Sequence, residues 1–262
     1  MQRIVWFVFI FGVFSLAFLT AGRPEIIEAT SYSLEEKIEI FSQVNPSPVI
    51  AEVAADAVLR QNFQGDTEEV GTLIAGDLVE LIRDVSSRWY KVRCRTTDLV
   101  GFVGRESLII PSDSETNPHR MSTEHIEGFV NIMSFKSATD NFVWVDIDRQ
   151  LVHVLEGSQG SFRLAKTLVC ATGINESPTS RGLFVLTEKG EWFYSQRLGS
   201  GGMYWFRFNG SYLFHSVAMD SDKNVIDGVL GVRRSSGCVR MSVEDARWFY
   251  NNIPANTAVF VH

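Results

Sequence analysis

Short runs of β-branched and aromatic residues, bounded by turn-forming residues, recur along most of this 262-residue sequence. They fall into two blocks, residues 49–111 and residues 141–262. Such residues, when they alternate with polar ones between Gly, Asn, Asp and Ser, favour half-buried strands. The pattern therefore predicts a mainly β fold in two parts. The length of the chain is also typical of about two domains.

The first block predicts a small barrel, because several short strands are expected within about 60 residues. A turn at Ala75-Gly76-Asp77 separates two strand-like runs, and residues 88–94 mostly alternate rings or aliphatic groups with charges. This block resembles a bacterial SH3-like domain, and that resemblance implies binding of the cell-wall glycan. The runs that carry it are Gly71-Thr72-Leu73, Gly76-Asp77, Trp89-Tyr90-Lys91-Val92 and Gly101-Phe102-Val103.

The second block predicts further strands and one well-marked helix. Ser242 can cap this helix with Asp245 three residues later, and Pro254 lies just beyond its end. The apolar face of the helix is formed by Val243, Ala246, Phe249 and Tyr250. The strand-like runs are residues 142–146, 151–155, 167–171 and 183–186.

The N-terminal segment, residues 1–22, has Arg3 followed by an uncharged, almost wholly apolar run over residues 4–21. This pattern predicts either a cleaved signal peptide or an uncleaved membrane anchor. Both place the rest of the chain outside the cytoplasm, on the outer face of the cytoplasmic membrane or in the cell wall. Association with the membrane is expected only if the segment is not cleaved.

Two polar segments separate the predicted domains. Residues 23–48 are predicted to be a linker with one short helix near residues 34–41. Residues 112–138 are rich in Ser, Thr, Asn and Glu and are predicted to be a second linker. The domains are then residues 49–111 and residues 139–262.

Charge and cysteine content exclude several classes of protein. The net charge of −7 argues against a nucleic-acid-binding protein. Three cysteines in a chain of this length do not form a disulfide scaffold, and their odd number leaves at least one free thiol within a single chain. The sequence contains no H-x-x-x-H or C-x-x-C spacing, so no metal site is expected.

Cys238 is the candidate nucleophile. It follows Gly237, which lets the backbone approach a bound group, and two small hydroxyl residues, Ser235 and Ser236. Three neighbouring arginines are expected to lower its pKa and favour the reactive thiolate; they are Arg233, Arg234 and Arg240. His215, at the end of a strand-like run, is the histidine best placed to act as its base. On these residues alone, a small buried structural cysteine is the more common interpretation.

Four motifs, in the expected order, resemble the L,D-transpeptidases of the YkuD type over about residues 140–262. Ser235-Ser236-Gly237-Cys238-Val239-Arg240 resembles the S-H-G-C-x-R/N signature, and Phe214-His215-Ser216 resembles the upstream histidine motif. Ala171-Thr172-Gly173 and residues 177–184 are similar to the S-T-G and T-P-x-G-x-F segments. The resemblance implies a β-rich catalytic domain with few helices.

The resemblance also implies roles for individual residues. Cys238 would be the nucleophile and His215 the base, with the backbone carbonyl of Ser216 orienting the imidazole. The backbone N–H groups of Gly237 and Cys238 would stabilise the oxyanion. The residues expected to shape the pocket or to bind substrate are Arg240, Ser236 and Ser235. Neither a cofactor nor a metal is implied.

The implied reaction is acyl transfer between peptidoglycan stem peptides. The thiolate attacks the third residue of a donor tetrapeptide and releases D-Ala, and an amine of an acceptor stem then resolves the thioester to give a 3→3 cross-link. Water as acceptor would make the chain an L,D-carboxypeptidase, and a cysteine peptidase acting on wall peptides is a further alternative. Family members typically accept carbapenems as acylating agents.

The sequence departs from the family pattern at two places. Ser236 stands where the family usually has a second histidine, and serine cannot carry a proton as imidazole does. The alternative function is therefore a non-catalytic protein that binds peptidoglycan. The interval from His215 to Cys238 is also longer than usual, which predicts an inserted loop near residues 220–228.

Overall fold

A computed structural model describes residues 31–65 and 67–262. The predicted export segment, residues 1–22, lies outside the described residues. Within the described part are helices α1 (Leu34–Ser42), α2 (Thr123–Ile132) and α3 (Val243–Asn252), and one 3-10 turn at Arg105–Ser107. None of these helices combines the length and the apolar character that crossing a membrane requires.

Strands dominate the described residues, which confirms the predicted mainly β fold. The first seven are β1 (Ile50–Val53), β2 (Ala57–Arg60), β3 (Glu69–Leu73), β4 (Leu78–Val85), β5 (Trp89–Cys94), β6 (Val100–Gly104) and β7 (Leu108–Ile109). The next six are β8 (Asn141–Asp146), β9 (Leu151–Glu156), β10 (Arg163–Val169), β11 (Gly182–Val185), β12 (Lys189–Ser195) and β13 (Ser200–Asn209). The last five are β14 (Tyr212–Ser216), β15 (Ala218–Met219), β16 (Val225–Asp227), β17 (Val239–Met241) and β18 (Ala258–Val261).

The N-terminal unit, residues 50–109, is a seven-stranded sheet in the order β3-β2-β6-β5-β4-β1-β7. Its inward side chains form a core of their own, with Leu59, Val79 and Val92 completely shielded from solvent. The predicted turn at residues 75–77 lies between β3 and β4, and Gly76 there has a φ of +89°, which glycine adopts without steric cost. The predicted short strands therefore form one small all-β unit.

The C-terminal unit, residues 141–261, contains two sheets that share one core. One has the order β10-β9-β8-β18-β11, and the other has the order β16-β15-β13-β14-β17 with β12 added on β13. Helix α3 packs its buried Ala246 and Phe249 into this core. The hydroxyl of Ser242 accepts a hydrogen bond from the backbone N–H of Asp245 at 3.0 Å, which confirms the predicted cap.

The predicted helix near residues 34–41 is also confirmed, since α1 covers Leu34–Ser42. The segment 112–138, by contrast, is more than a linker. It contains α2, whose buried Ile126, Phe129 and Val130 pack under β8, and the ring of Phe129 lies 4.6 Å from that of Trp144. Their i, i+3, i+4 spacing is a helical stripe, which the polar composition of the segment conceals in the sequence.

His153, in the strand-like run of residues 151–155, is more buried than its sequence predicts. A histidine in such a run is expected to be an ordinary surface or edge residue, but β9 pairs with β8 on one side and β10 on the other, and His153 is only 1% exposed. Its Nδ1 lies 2.9 Å from the hydroxyl of Thr167. Burial lowers the pKa of His153 to about 3, because the charged imidazolium is poorly solvated there.

The two units meet along residues 175–181, which include much of the T-P-x-G-x-F-like segment. Arg105 of the N-terminal unit makes two hydrogen bonds to the carboxylate of Glu176, at 2.6 and 2.9 Å. Arg181 forms an ion pair with Glu80 at 2.9 Å. Paired and partly buried charges fix the register of such a contact, so the N-terminal unit has a defined place against the C-terminal unit.

Candidate active site

Two neighbouring parallel strands bring the candidate base and nucleophile together. Strands β14 and β17 pair His215 with Arg240, and Phe214 with Val239. Since side chains alternate between faces along a strand, Phe214 and Val239 point into the core while His215 and Arg240 share the opposite face. Cys238 immediately precedes β17, two residues before Arg240. The fold therefore places Cys238 beside the strand that carries His215, although more than twenty residues separate the two in the sequence.

The loop before Cys238 is held by its own hydrogen bonds. The hydroxyl of Ser235 donates to the carbonyl of Cys238 at 2.6 Å and accepts from the backbone N–H of Gly237 at 3.1 Å. Gly237 has a φ of +101°, and a Cβ there would lie 2.5 Å from the ring of Tyr212. Only glycine fits this position. The N–H of Gly237, one of the two expected oxyanion donors, is already engaged by Ser235.

Cys238 lies on the wall of a cavity of about 380 Å³. It is partly exposed, whereas Cys94 and Cys170 are buried; all three lie in the described residues and are free thiols. The C-terminal unit contributes Ser236 and Phe193 to the wall. The opposite side comes from the N-terminal unit, through residues 83–86 at the end of β4. The candidate site is therefore a cleft between the two units.

His215 is enclosed on several sides and is 4% exposed. The ring of Phe193 packs edge-on against the imidazole with centroids 5.0 Å apart. Gly202 lies so close to the imidazole that a Cβ at this position would clash with Nδ1. Burial, with a smaller contribution from the positive charge of Arg240, lowers the pKa of His215 to about 3. A hydrogen-bonding contribution from the backbone of Ser216 acts in the opposite direction, although Nδ1 finds no well-aligned acceptor among the described residues. His215 is therefore a neutral imidazole at physiological pH.

The electrostatics of Cys238 differ from the expectation. Burial of the sulfur raises the pKa of Cys238, and the backbone of Leu213 and the charges of Arg240 and Arg207 oppose this effect without overcoming it. The sequence predicts that the three neighbouring arginines supply the positive charge. Of these only Arg240 acts on the sulfur, and it does so together with Arg207, which is distant in sequence.

Asp227 explains why the neighbouring arginines are less effective than expected. Its carboxylate lies 3.0 Å from a guanidinium nitrogen of Arg234 and 3.0 Å from one of Arg240. It belongs to β16, in the segment predicted as an inserted loop, which folds back as a short hairpin with β15. The hairpin therefore brings a negative charge that neutralises part of the positive charge near Cys238.

In the free state, the candidate pair consists of a neutral thiol and a neutral imidazole. No hydrogen bond joins Cys238 to His215 in the part of the chain that the structure describes. Catalytic hydrogen bonds are often long or misaligned before substrate binds. The pair can thus perform base-assisted attack once substrate aligns the two groups, but it is not a preformed thiolate–imidazolium pair.

Alkylation of Cys238 by iodoacetamide is expected to accelerate about tenfold per pH unit between about pH 6 and 8.5. Only the thiolate reacts, and a raised pKa keeps the thiolate fraction growing throughout this range. The rate is measured by mass spectrometry of the peptide that contains Cys238, with Cys238→Ala protein as the background. A rate that stays level down to about pH 5 would show an ion pair and contradict this electrostatic picture.

The three residues expected to contact substrate occupy different environments. Ser236 is exposed and lines the cavity. Ser235 is 1% exposed, and its hydroxyl is used within the loop, so it positions the backbone. Arg240 is mostly buried and paired with Asp227. Ser216, expected to act through its carbonyl, also uses its hydroxyl to accept a hydrogen bond from the backbone N–H of Met203 at 2.9 Å.

Two features of the cleft are missed by the sequence analysis. Tyr212 is almost completely buried against Gly237, and its hydroxyl has no hydrogen-bond partner among the described residues. Burial and the negative charge of Asp84 raise the pKa of Tyr212 to about 12. The second feature is that residues at the end of β4 form part of the cavity wall. No sequence motif near Cys238 or His215 indicates this contribution. Among the described residues, no group of three or more His, Cys, Asp or Glu side chains is arranged to hold a metal ion.

Part of this chain is similar to known proteins. Residues 140–261 match the family model of the YkuD L,D-transpeptidase catalytic domain. A Bacillus subtilis (strain 168) protein named "Putative L,D-transpeptidase YciB" is 36% identical over 130 residues, which cover 45% of this chain and 65% of that protein. The match therefore spans somewhat less than two thirds of the relative's length.

Some solved structures also resemble part of this chain. A Clostridium acetobutylicum protein, described as a fused Zn-dependent amidase/peptidase/peptidoglycan-binding domain-containing protein, has a TM-score of 0.47 and 28% identity. That comparison covers 57% of this chain and 65% of the other. An L,D-transpeptidase from Stackebrandtia nassauensis has a TM-score of 0.38 and 21% identity, covering 49% of this chain and 58% of the other.

Proposed function

We propose that this chain is a peptidoglycan L,D-transpeptidase that uses Cys238 as nucleophile and His215 as general base. One observation carries the proposal. Within the region that matches the family model, the single partly exposed cysteine lines a cavity, and the strand next to it carries a buried histidine on the matching face. A structural cysteine needs neither the cavity nor the histidine.

In the proposed acylation step, substrate binding aligns the thiol with His215. The imidazole takes the proton of the Cys238 thiol as the sulfur attacks the carbonyl carbon of the third residue of a donor tetrapeptide. The negative charge on the former carbonyl oxygen is stabilised by the backbone N–H of Cys238, the expected donor that Ser235 does not engage. When the tetrahedral intermediate collapses, the C–N bond to D-Ala breaks and His215 returns the proton to the departing amine. The product is a thioester on Cys238.

The second step reverses these roles. An amine of an acceptor stem attacks the thioester and gives its proton to His215, and the carbon–sulfur bond breaks as His215 reprotonates the Cys238 sulfur. The donor is then joined to the acceptor through a 3→3 amide bond. The lowered pKa keeps His215 neutral before each attack, and it also makes the imidazole a weaker base than an ordinary histidine.

The decisive experiment supplies a disaccharide tetrapeptide with and without an acceptor stem and identifies the products by mass spectrometry. Release of D-Ala together with a 3→3 cross-linked dimer is the expected result. Tripeptide formed in excess acceptor would instead identify an L,D-carboxypeptidase. No product and no carbapenem adduct on folded protein would identify a non-catalytic peptidoglycan-binding protein.

The proposal also requires a location outside the cytoplasm, where cross-linked peptidoglycan lies. The apolar N-terminal run that predicts export agrees with this location. The proposal does not depend on glycan binding by the N-terminal unit, since that unit already contributes to the cleft wall.

A further inference from the structure

We propose that Arg83, from the N-terminal unit, binds a free carboxylate of the donor peptide in the Cys238 cleft. This inference deepens the proposed function and rests on it for the identity of the ligand. It makes the N-terminal unit part of the substrate site and Arg83 a specificity-determining residue.

Hydrogen bonds on both sides of Arg83 hold it over the cleft. The hydroxyl of Ser180 donates to the carbonyl of Ile82 at 3.0 Å, and the hydroxyl of Ser177 donates to the carboxylate of Asp84 at 2.9 Å. Both donors belong to the C-terminal unit. The backbone that carries Arg83 is therefore fixed to the same unit that carries Cys238.

The Arg83 side chain packs along the cleft. Its guanidinium carbon lies 5.6 Å from the centroid of the Tyr212 ring, an arrangement typical of a cation–π contact. The same guanidinium lies so close to Gly210 that a Cβ there would be 3.1 Å from Nη2. Tyr212 in turn packs on Gly237, so Arg83 is one side chain removed from the loop that carries the nucleophile.

Arg83 has no acidic partner among the described residues, and its buried Nε has no hydrogen-bond acceptor there. Asp84 is the one acidic side chain among the described residues that line the cavity. Its carboxylate is already occupied by the hydroxyl of Ser177 and the backbone N–H of Ser87. The Arg83 guanidinium therefore lines the cavity with no carboxylate of the described residues to neutralise it, which points to an anionic ligand.

Most charges of the cleft are positive. Arg197 and Arg207 also line the cavity, so its described lining residues include three cations and one acid. Arg207 donates to the carbonyl of Gly210 and packs on Trp205, and Arg197 is exposed. Arg83 alone combines partial burial, a fixed backbone and an unpaired donor. A planar guanidinium binds a carboxylate through two parallel hydrogen bonds, and peptidoglycan stems carry free carboxylates.

The test measures kcat/KM for acylation with a donor tetrapeptide and with versions in which each free carboxylate in turn is replaced by its amide. Arg83→Gln is expected to lower kcat/KM for the unmodified peptide by about 10- to 100-fold, the usual effect of losing a hydrogen bond to a charged group. One amidated peptide should be insensitive to Arg83→Gln, and it identifies the carboxylate that is bound. Arg83→Lys should lie between Arg83→Gln and the original protein.

Arg88→Gln is the matched control, because Arg88 lies in the turn of the same β4–β5 hairpin, is exposed and does not line the cavity. It removes the same charge and should leave every peptide unaffected. An equal loss with all peptides in Arg83→Gln, or no difference between Arg83→Gln and Arg88→Gln, would overturn the inference.

A binding measurement separates this inference from the proposed function. Calorimetry of the same peptides with Cys238→Ala protein, with and without Arg83→Gln, requires no turnover. Weaker binding on Arg83→Gln, together with an inactive original protein, would refute the transpeptidase and leave the carboxylate site standing. Turnover by the original protein with binding unchanged by Arg83→Gln would refute the carboxylate site alone.

Discussion

The Cys238→Ala variant is expected to form no carbapenem adduct and to release no D-Ala from a tetrapeptide donor. Removing the nucleophile of a covalent mechanism lowers kcat by about a million-fold, because the remaining groups have no atom that can form the acyl intermediate. The measurement is the mass of the intact protein after incubation with a carbapenem, combined with quantification of D-Ala.

Cys170→Ala is the control for this variant. Cys170 lies in the same unit but is completely buried, and burial raises the pKa of its thiol, so its removal should leave the adduct intact. An adduct that persists in folded Cys238→Ala protein would place the nucleophile elsewhere. A loss of adduct in folded Cys170→Ala protein would show that packing, rather than the sulfur of Cys238, limits the reaction.

The His215→Gln variant is expected to acylate about 10²- to 10⁴-fold more slowly than the original protein, the usual contribution of a general base. The original protein should have a nearly level acylation rate between about pH 5 and pH 8, since His215 with a pKa of about 3 is already neutral there. The rate should fall only as the pH drops toward that pKa, where His215 gains a proton.

Without the base, solvent must remove the thiol proton, so the residual rate of His215→Gln should climb about tenfold per pH unit. This change in the pH profile separates a lost base from damaged packing, which would lower the rate equally at each pH. His153→Gln is the matched control: it replaces the other buried histidine of the C-terminal unit, which does not line the cavity. Original-like rates and pH dependence in His215→Gln would remove His215 from the mechanism.

The separation of the two pKa values affects how inhibitors should be chosen. A raised pKa at Cys238 and a lowered one at His215 leave both groups neutral in the free protein. Reagents that require a preformed thiolate are then poor probes at neutral pH. Carbapenems, which occupy a cleft as well as react, can align the pair and are the better test of activity.

The sequence by itself determined the strands, the cap of α3 and the motif that contains the candidate nucleophile. These follow from local physics: alternating side chains define a half-buried strand, and Ser242 satisfies a backbone N–H at the start of a helix. The loop before Cys238 is also determined locally. Its conformation depends on the backbone of Gly237 and on hydrogen bonds that the Ser235 hydroxyl makes within the same loop. The helical stripe of α2 is also local, but the polar residues around it concealed it.

The tertiary structure alone decided the burial of His153, the net direction of the Cys238 pKa and the composition of the cleft. His153 is buried because strands pair on both sides of β9, and that pairing joins residues far apart in sequence. The electrostatic environment of the Cys238 sulfur depends on Asp227, which lies in the β15–β16 hairpin, and on Arg207, which lies on β13. Arg83 lines the cleft only because hydrogen bonds and an ion pair along residues 175–181 hold the two units together. Burial and electrostatics sum over all neighbours in space, so a pattern along the chain cannot supply them.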